Sequence, residues 1–151
     1  MADVINVLTK LSQLDIDAAY AYEQALAQIE EKDIYNTIYK FREDHLRHIN
    51  ELSALIRQYN GTPPERTKDF KGYLIEGFTY LRSLTGTEGA LKAMRSNEIT
   101  TNKYYKQAIE ENPNLPADVL MLLQRNFNDE KTHLSYITST IKTFEEEVET
   151  A

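Results

Sequence analysis

The sequence of 151 residues contains no cysteine. This absence excludes thiolate chemistry and cysteine-based zinc sites, and it fits a reducing compartment. No apolar run approaches the roughly 20 residues that a membrane-spanning helix needs. The first residues also lack the basic start and continuous apolar core of a secretory signal. We therefore expect a cytoplasmic protein with no membrane segment.

Positive charge is also scarce in this chain. Lys and Arg together number 17 against 24 Asp and Glu, which gives a formal net charge of −7. This balance opposes nonspecific binding to nucleic acid or anionic lipid, because phosphate contacts need clustered basic side chains. An acidic surface attracts cations, although in most proteins the negative charge serves only to keep the protein soluble. We expect neither nucleic acid nor membrane as a partner.

The remaining composition is that of a globular domain. Hydrophobic residues make up 41% of the chain and charged residues 27%, which is unlike a disordered sequence. A chain of this length is one ordinary domain, here residues 1–151, and it buries about two thirds of its unfolded surface. Metal is therefore not needed for folding.

Apolar residues recur at helical spacing over long stretches of the sequence. The pattern predicts four long helices over residues 4–30, 34–59, 90–109 and 116–144. Asp33 is expected to cap the start of the second helix, and Gly61 to end it in a left-handed conformation. A shorter helix is expected over residues 67–84, and the acidic residues 145–149 are expected to fray. Together these elements predict an all-α four-helix bundle, with two antiparallel helix pairs and a long, partly helical crossover.

Two ionisable residues interrupt the apolar stripe of the last predicted helix. Glu130 falls near the centre of that stripe and His133 toward one side, three residues later. An unpaired carboxylate in a core costs several kcal/mol or takes up a proton. The sequence therefore implies either a polar network or a cation inside the bundle. Glu-x-x-His on an inward helix face is the spacing with which carboxylate-bridged di-iron and di-manganese bundles hold their metals.

Other predicted helices carry matching polar residues on their inward faces. His45 and His48 form a second pair three residues apart, and Glu98 lies on the third stripe. Glu98 and Glu130 are both 16 residues from Asn114, the centre of the turn between their helices. Residues equally far from the turn of an antiparallel pair lie at the same height, so these two carboxylates should face each other.

The first helix offers two carboxylates at the height of the histidines. With the turn centred near Glu31, Asp15 lies between the heights of His45 and His48. With the turn centred three residues later, Glu23 lies opposite His45 instead. We favour Asp15, because Glu23 is farther from the centre of its apolar stripe.

Imidazole nitrogen and carboxylate oxygen are the ligands that suit iron, manganese or zinc. The predicted ligand set consists of Asp15, His45, His48, Glu98, Glu130 and His133. The alternative is a hydrogen-bonded or water-filled polar network without metal. Tyr20, Tyr22, Tyr104 and Tyr105 are candidates to lie near the site, whereas Glu43 and Asp44 are interpreted as solvated helix charges.

Three short segments carry a resemblance to a known superfamily. They are Gln58-Tyr59-Asn60-Gly61-Thr62-Pro63, then Asn97-Glu98 followed by Tyr105-Lys106-Gln107-Ala108, and Leu115-Pro116-Ala117-Asp118-Val119. With these features the chain resembles the ferritin-like superfamily over nearly its whole length, and more closely an uncharacterised bacterial family of single-domain ferritin-like bundles. The resemblance implies a di-metal site in the bundle core, with iron favoured over manganese and zinc.

The resemblance assigns ligands residue by residue. In ferritin-like di-metal enzymes each half offers a Glu on one helix and Glu-x-x-His on the next, which Glu98 and the pair Glu130 and His133 match. In the first half His48 matches the His, but His45 stands where the pattern has Glu. Asp15 or Glu23 must then supply the remaining carboxylate. A site richer in histidine carries less negative charge and should stabilise ferric pairs less well.

These observations leave two functional hypotheses. The first is a di-metal ferritin-like protein that handles iron or dioxygen-derived oxidants by ferroxidase or peroxidase-type chemistry. The second is a metal-free bundle that acts as a stress-related or partner-binding module. The sequence leaves open whether the protein is an enzyme, which metal or oxidant it uses, and whether it forms a homo-oligomer such as a dimer.

Overall fold

Four long helices make up the described part of the chain. The computed structural model describes residues 3–66 and 86–150. Helix α1 spans Val4–Leu26, α2 spans Lys32–Gln58, α3 spans Gly86–Glu111 and α4 spans Ala117–Thr150. Neither described range contains a strand, and the predicted all-α four-helix bundle is confirmed. The shorter helix predicted over residues 67–84 lies outside the described residues.

Each helix packs against two others. α1 lies along α2 and α3, and α4 lies along α3 and α2. The hydroxyl of Tyr22 donates to Glu98 and that of Tyr105 donates to Asp15, so α1 and α3 run in opposite directions. Short turns make α1 and α2, and likewise α3 and α4, antiparallel. α2 and α3 therefore run in the same direction, and the end of α2 lies at the opposite end of the bundle from the start of α3.

In the described residues, two large apolar layers of the core lie on either side of a polar layer. The first apolar layer includes Leu26, Ile38, Leu91, Met94, Ile137 and Ile141. The second, toward the other end of the bundle, includes Leu8, Leu11, Leu52, Ile56, Val119 and Leu123. Each fully buried aliphatic side chain stabilises the fold by about 1.5–3 kcal/mol. These layers position the polar groups between them and shield those groups from water.

Several predicted helix boundaries are wrong. Asp33 lies in the first turn of α2, and Glu31 occupies the capping position without a side-chain hydrogen bond to the backbone. α1 ends at Leu26 rather than at residue 30. α4 continues to Thr150, so residues 145–149 are helical rather than frayed. Glutamate is a good helix former, and this propensity favours continuation of the helix.

The end of α2 also differs from the prediction. Asn60, with φ of 67°, adopts the left-handed conformation that was expected of Gly61. Asparagine tolerates this region better than most residues. Gly61 is required for a different reason, since a Cβ atom there would lie 2.9 Å from Ile56 and 3.0 Å from Ile5.

Among the described helices, none combines the length and the apolar character needed to cross a membrane.

Candidate metal centre

The structure brings the six favoured residues together in the polar layer. All of them are fully buried, and they form two overlapping groups whose ligand atoms lie within 4.8 Å of one another. The Asp15 group consists of Asp15, His45, His48 and Glu130. The Glu98 group consists of His45, Glu98, Glu130 and His133. The two groups share His45 and Glu130.

Glu23 lies outside this cluster. Its carboxylate pairs with Arg42 at 2.7 Å, and its side chain is 45% exposed. Asp15, by contrast, lies 2.7 Å from His45 and 3.1 Å from His48. Of the two carboxylates that α1 offered, the structure therefore places Asp15 in the cluster.

Glu98 and Glu130 face each other across α3 and α4, as their equal separation from the turn implied. The Thr101 hydroxyl lies 3.0 Å from Glu98 Oε2 and 3.1 Å from Glu130 Oε2. Burial and the charge of Glu98 raise the pKa of Glu130. The second carboxylate oxygen, Glu130 Oε1, is buried and accepts no hydrogen bond from any described residue.

Each histidine directs one ring nitrogen at a carboxylate that fixes the ring. His133 Nε2 lies 2.8 Å from Asp44, and His48 Nε2 lies 2.9 Å from Asp129. Asp44 and Asp129 are each only 29% exposed, on α2 and α4 respectively. The interpretation of Asp44 as a merely solvated charge is therefore wrong. Such carboxylate–histidine pairs set the tautomer and orientation of metal-ligating imidazoles.

The other nitrogens of these two histidines point into the cluster. His133 Nδ1 lies 3.2 Å from Glu98 Oε1, and His48 Nδ1 lies 3.1 Å from Asp15 Oδ1. When the outer nitrogens carry the protons, these inner nitrogens present lone pairs toward carboxylate oxygens. Two facing acceptors repel each other. A cation between them, or a second proton on each ring, removes the repulsion.

The cluster has an approximate internal two-fold arrangement that the sequence reading missed. Asp44 precedes the His45-x-x-His48 pair, and Asp129 precedes the Glu130-x-x-His133 pair. Each of these aspartates contacts the last histidine of the opposite helix. An aspartate directly before each of these two pairs is the sequence signal that could have identified Asp44 and Asp129 as partners of the histidines.

Two buried tyrosines cross-link α1 and α3, since the tyrosine on each helix donates a hydrogen bond to the carboxylate on the other. Tyr22 donates its hydroxyl hydrogen to Glu98, and Tyr105 donates to Asp15 over 2.5 Å. Burial and the neighbouring carboxylates raise both phenol pKa values well above the usual range, so both phenols remain protonated donors. The structure thus places Tyr22 and Tyr105 beside the cluster.

The other two tyrosines singled out from the sequence lie elsewhere. Tyr20 lines a surface cavity with Glu23 and Arg42. Tyr104 packs beside the second apolar layer, with the amine of Lys10 4.8 Å from the centre of its ring. Both are only partly buried.

The polypeptide alone favours protonated histidines. Burial opposes the charge of His45, but Glu130 and Asp15 outweigh burial and raise its pKa to about 9. Burial likewise opposes the charge of His48, and Asp15 and Asp129 raise its pKa to about 11. The pKa of Asp15 falls to about 2, because its two histidine partners outweigh its burial. The buried carboxylates thus demand positive charge, which protons or metal ions can supply.

Comparison with known proteins gives a family match. No curated protein matches the chain. The model of a family described as "Domain of unknown function (DUF2383)" matches residues 3–111. That match includes four of the six clustered residues and excludes Glu130 and His133 on α4. Because it covers most of the sequence, the chain belongs to the DUF2383 family.

Proposed function

We propose that this protein is a ferritin-like metal-binding protein that holds a pair of metal ions in the buried centre between its four helices. The observation that carries the proposal is the pair of overlapping four-residue groups, whose ligand atoms lie within 4.8 Å of one another. Imidazole and carboxylate donors suit iron and manganese, and also zinc. We favour iron.

The residues present fit such a pair of ions. Glu130 Oε1 is a buried acceptor without a hydrogen bond from the described chain, and it lies 3.4 Å from His48 Nδ1. Its second oxygen lies 3.5 Å from His133 Nδ1, on the opposite side of the carboxylate. A carboxylate between two sets of nitrogen donors is placed to bind two cations at once.

The surrounding residues would prepare the donors before an ion arrives. Asp44 and Asp129 accept the outer N–H hydrogens of His133 and His48 and thereby leave the inner nitrogens free to donate lone pairs. Tyr22 and Tyr105 orient Glu98 and Asp15 through their hydroxyl groups. The apolar layers on both sides exclude bulk water.

Redox-active ions at this centre would supply electron transfer to dioxygen-derived oxidants, which is chemistry of the ferroxidase or peroxidase class. Histidine at position 45 in place of the usual glutamate lowers the negative charge of the ligand set. Such a set should favour divalent ions over a ferric pair. We therefore propose metal binding as the primary function and a role in oxidative stress as its use in the cell.

A second candidate function follows from the partners of the histidines. Each imidazole lies within 3.5 Å of three carboxylates, so three imidazolium groups could balance the three fully buried carboxylates without metal. The bundle would then be a metal-free module for stress or partner binding. In that case the hydrogen-bonded network of histidines and carboxylates would serve only to hold the core in one arrangement.

Metal analysis of the untagged full-length protein tests the proposal. We expect the wild-type protein to carry iron, manganese or zinc at up to two equivalents. Substitutions His45→Ala and Glu130→Ala should lower this content, because each removes a donor shared by both groups. Glu23→Ala is the matched control, since it removes an exposed carboxylate of α1. Equal trace metal in the wild type and in all variants would refute metal binding and favour the metal-free network.

A further inference from the structure

His45 lies between the two groups and faces both of them. Its Nδ1 lies 2.7 Å from Asp15 Oδ1, and its Nε2 lies 3.1 Å from Glu98 Oε1. A carboxylate at this position could offer one oxygen to each of two ions. A neutral imidazole has only one lone-pair nitrogen, because the other nitrogen carries the hydrogen. His45 can therefore complete one group only.

The hydrogen-bond partners indicate which nitrogen of His45 carries the hydrogen. The contact of Nδ1 with Asp15 is the shortest carboxylate contact of His45, at 2.7 Å, against 3.1 Å from Nε2 to Glu98 and 3.5 Å from Nδ1 to Glu130. In His48 and His133, too, the nitrogen with the shortest carboxylate contact faces an aspartate, at less than 3.0 Å. We assign the hydrogen to that nitrogen in all three rings. With the hydrogen on Nδ1 and donated to Asp15, the Nε2 lone pair of His45 points at the Glu98 group.

We propose that the centre is asymmetric: His45 completes a closed four-donor site in the Glu98 group, whereas the Asp15 group keeps three donors and an open position. The closed site then consists of His45 Nε2, Glu98, Glu130 and His133 Nδ1. The open site consists of Asp15, Glu130 and His48 Nδ1.

This asymmetry assigns different tasks to the two sites. A site with more protein donors holds its ion more tightly, whereas a site with fewer donors exchanges its ion and accepts an external ligand more readily. Water, peroxide or another small oxygen ligand would therefore bind on the Asp15 side. This inference rests on the proposed metal-binding function.

Cobalt titration of the metal-free, full-length protein tests the asymmetry. Cobalt(II) is the probe, and its visible absorption reports both the number of bound ions and their coordination. We expect two binding steps whose affinities differ roughly tenfold or more, the range over which single supporting groups alter metal affinity. His48→Gln should abolish the weaker step and preserve the tighter one. His133→Gln should remove the tighter step.

The decisive variant is His45→Glu, which restores a donor with two oxygens. It should strengthen the weaker step so that the two affinities converge, and a gain in affinity cannot result from misfolding. Two equal steps in the wild type, or loss of the tighter step in His48→Gln, would overturn the asymmetry while leaving metal binding intact. Failure of the folded wild type to bind cobalt at all would overturn the proposed function itself.

Discussion

The stability of the metal-free protein should fall as the pH rises from 6 to 9. In the folded chain the pKa of His45 is raised to about 9 and that of His48 to about 11. In the unfolded chain both should return to the ordinary value near 6.5. Below 6.5 both states bind these protons, and the stabilisation is fully present. As the pH rises through 6.5 the unfolded chain releases its protons first, so unfolding becomes more favourable.

The size of this effect follows from proton linkage. Consider a histidine that stays protonated in the folded state and is neutral in the unfolded state. For each unit by which the pH rises, this histidine reduces the free energy of unfolding by up to about 1.4 kcal/mol. For a domain of this length that corresponds to a fall of up to about 3–6 °C in Tm per histidine and pH unit. His133, whose pKa is also raised, adds to the slope. The three histidines are the only ones in the chain.

Bound metal should reverse the sign of the pH dependence. Ligation keeps the imidazoles neutral in the folded state, so the metal-bound protein loses stability as the pH falls below about 6.5, where the histidines of the unfolded chain take up protons. Thermal unfolding followed by circular dichroism from pH 5 to 9, with metal and with chelator, measures both slopes. The variant His48→Gln should reduce the slope of the chelated protein. A chelated wild type whose Tm stays constant or increases between pH 6.5 and 9 would refute this reasoning.

Three further predictions concern residues around the centre. Asp44→Asn and Asp129→Asn should each weaken metal binding about 10–100-fold while the helical circular dichroism signal is preserved; an unchanged affinity would show that these carboxylates do not orient the histidines. Tyr105→Phe should lower the free energy of unfolding by about 1–3 kcal/mol in denaturant titration, because it leaves a buried carboxylate one hydrogen bond short. The exposed change Tyr39→Phe is its control and should have little effect. Gly61→Ala should cost about 1–3 kcal/mol by the same measurement, since its methyl group would lie 2.9 Å from a neighbouring isoleucine.

The helical periodicity and the number of residues between each side chain and its turn were sufficient to predict that the six polar side chains of the candidate centre lie close together in the core. Glu98 and Glu130 lie at equal distances from their turn, and Thr101 contacts both of them. Periodicity fixes which face of a helix is inward, and a short turn fixes the relative height of two antiparallel helices. These two constraints act locally and can therefore be inferred from the sequence.

Contacts made by side chains at the edge of a stripe could not be predicted in this way. Asp44 and Asp129 lie beside the inward face of their own helices, and each reaches a histidine on the opposite helix. Such a contact depends on the separation and rotation of two helices that are far apart in sequence. The choice between Asp15 and Glu23 had the same difficulty, because a shift of the turn centre by three residues changes which carboxylate faces the histidines.

Anomalous X-ray diffraction from crystals grown with iron or manganese would test the central claim most directly. The claim predicts anomalous peaks inside the bundle, within coordination distance of Glu130 and of the inner nitrogens of His48 and His133. The contrary result is a fully ordered cluster without an anomalous peak, in which the histidines remain hydrogen-bonded to their carboxylates.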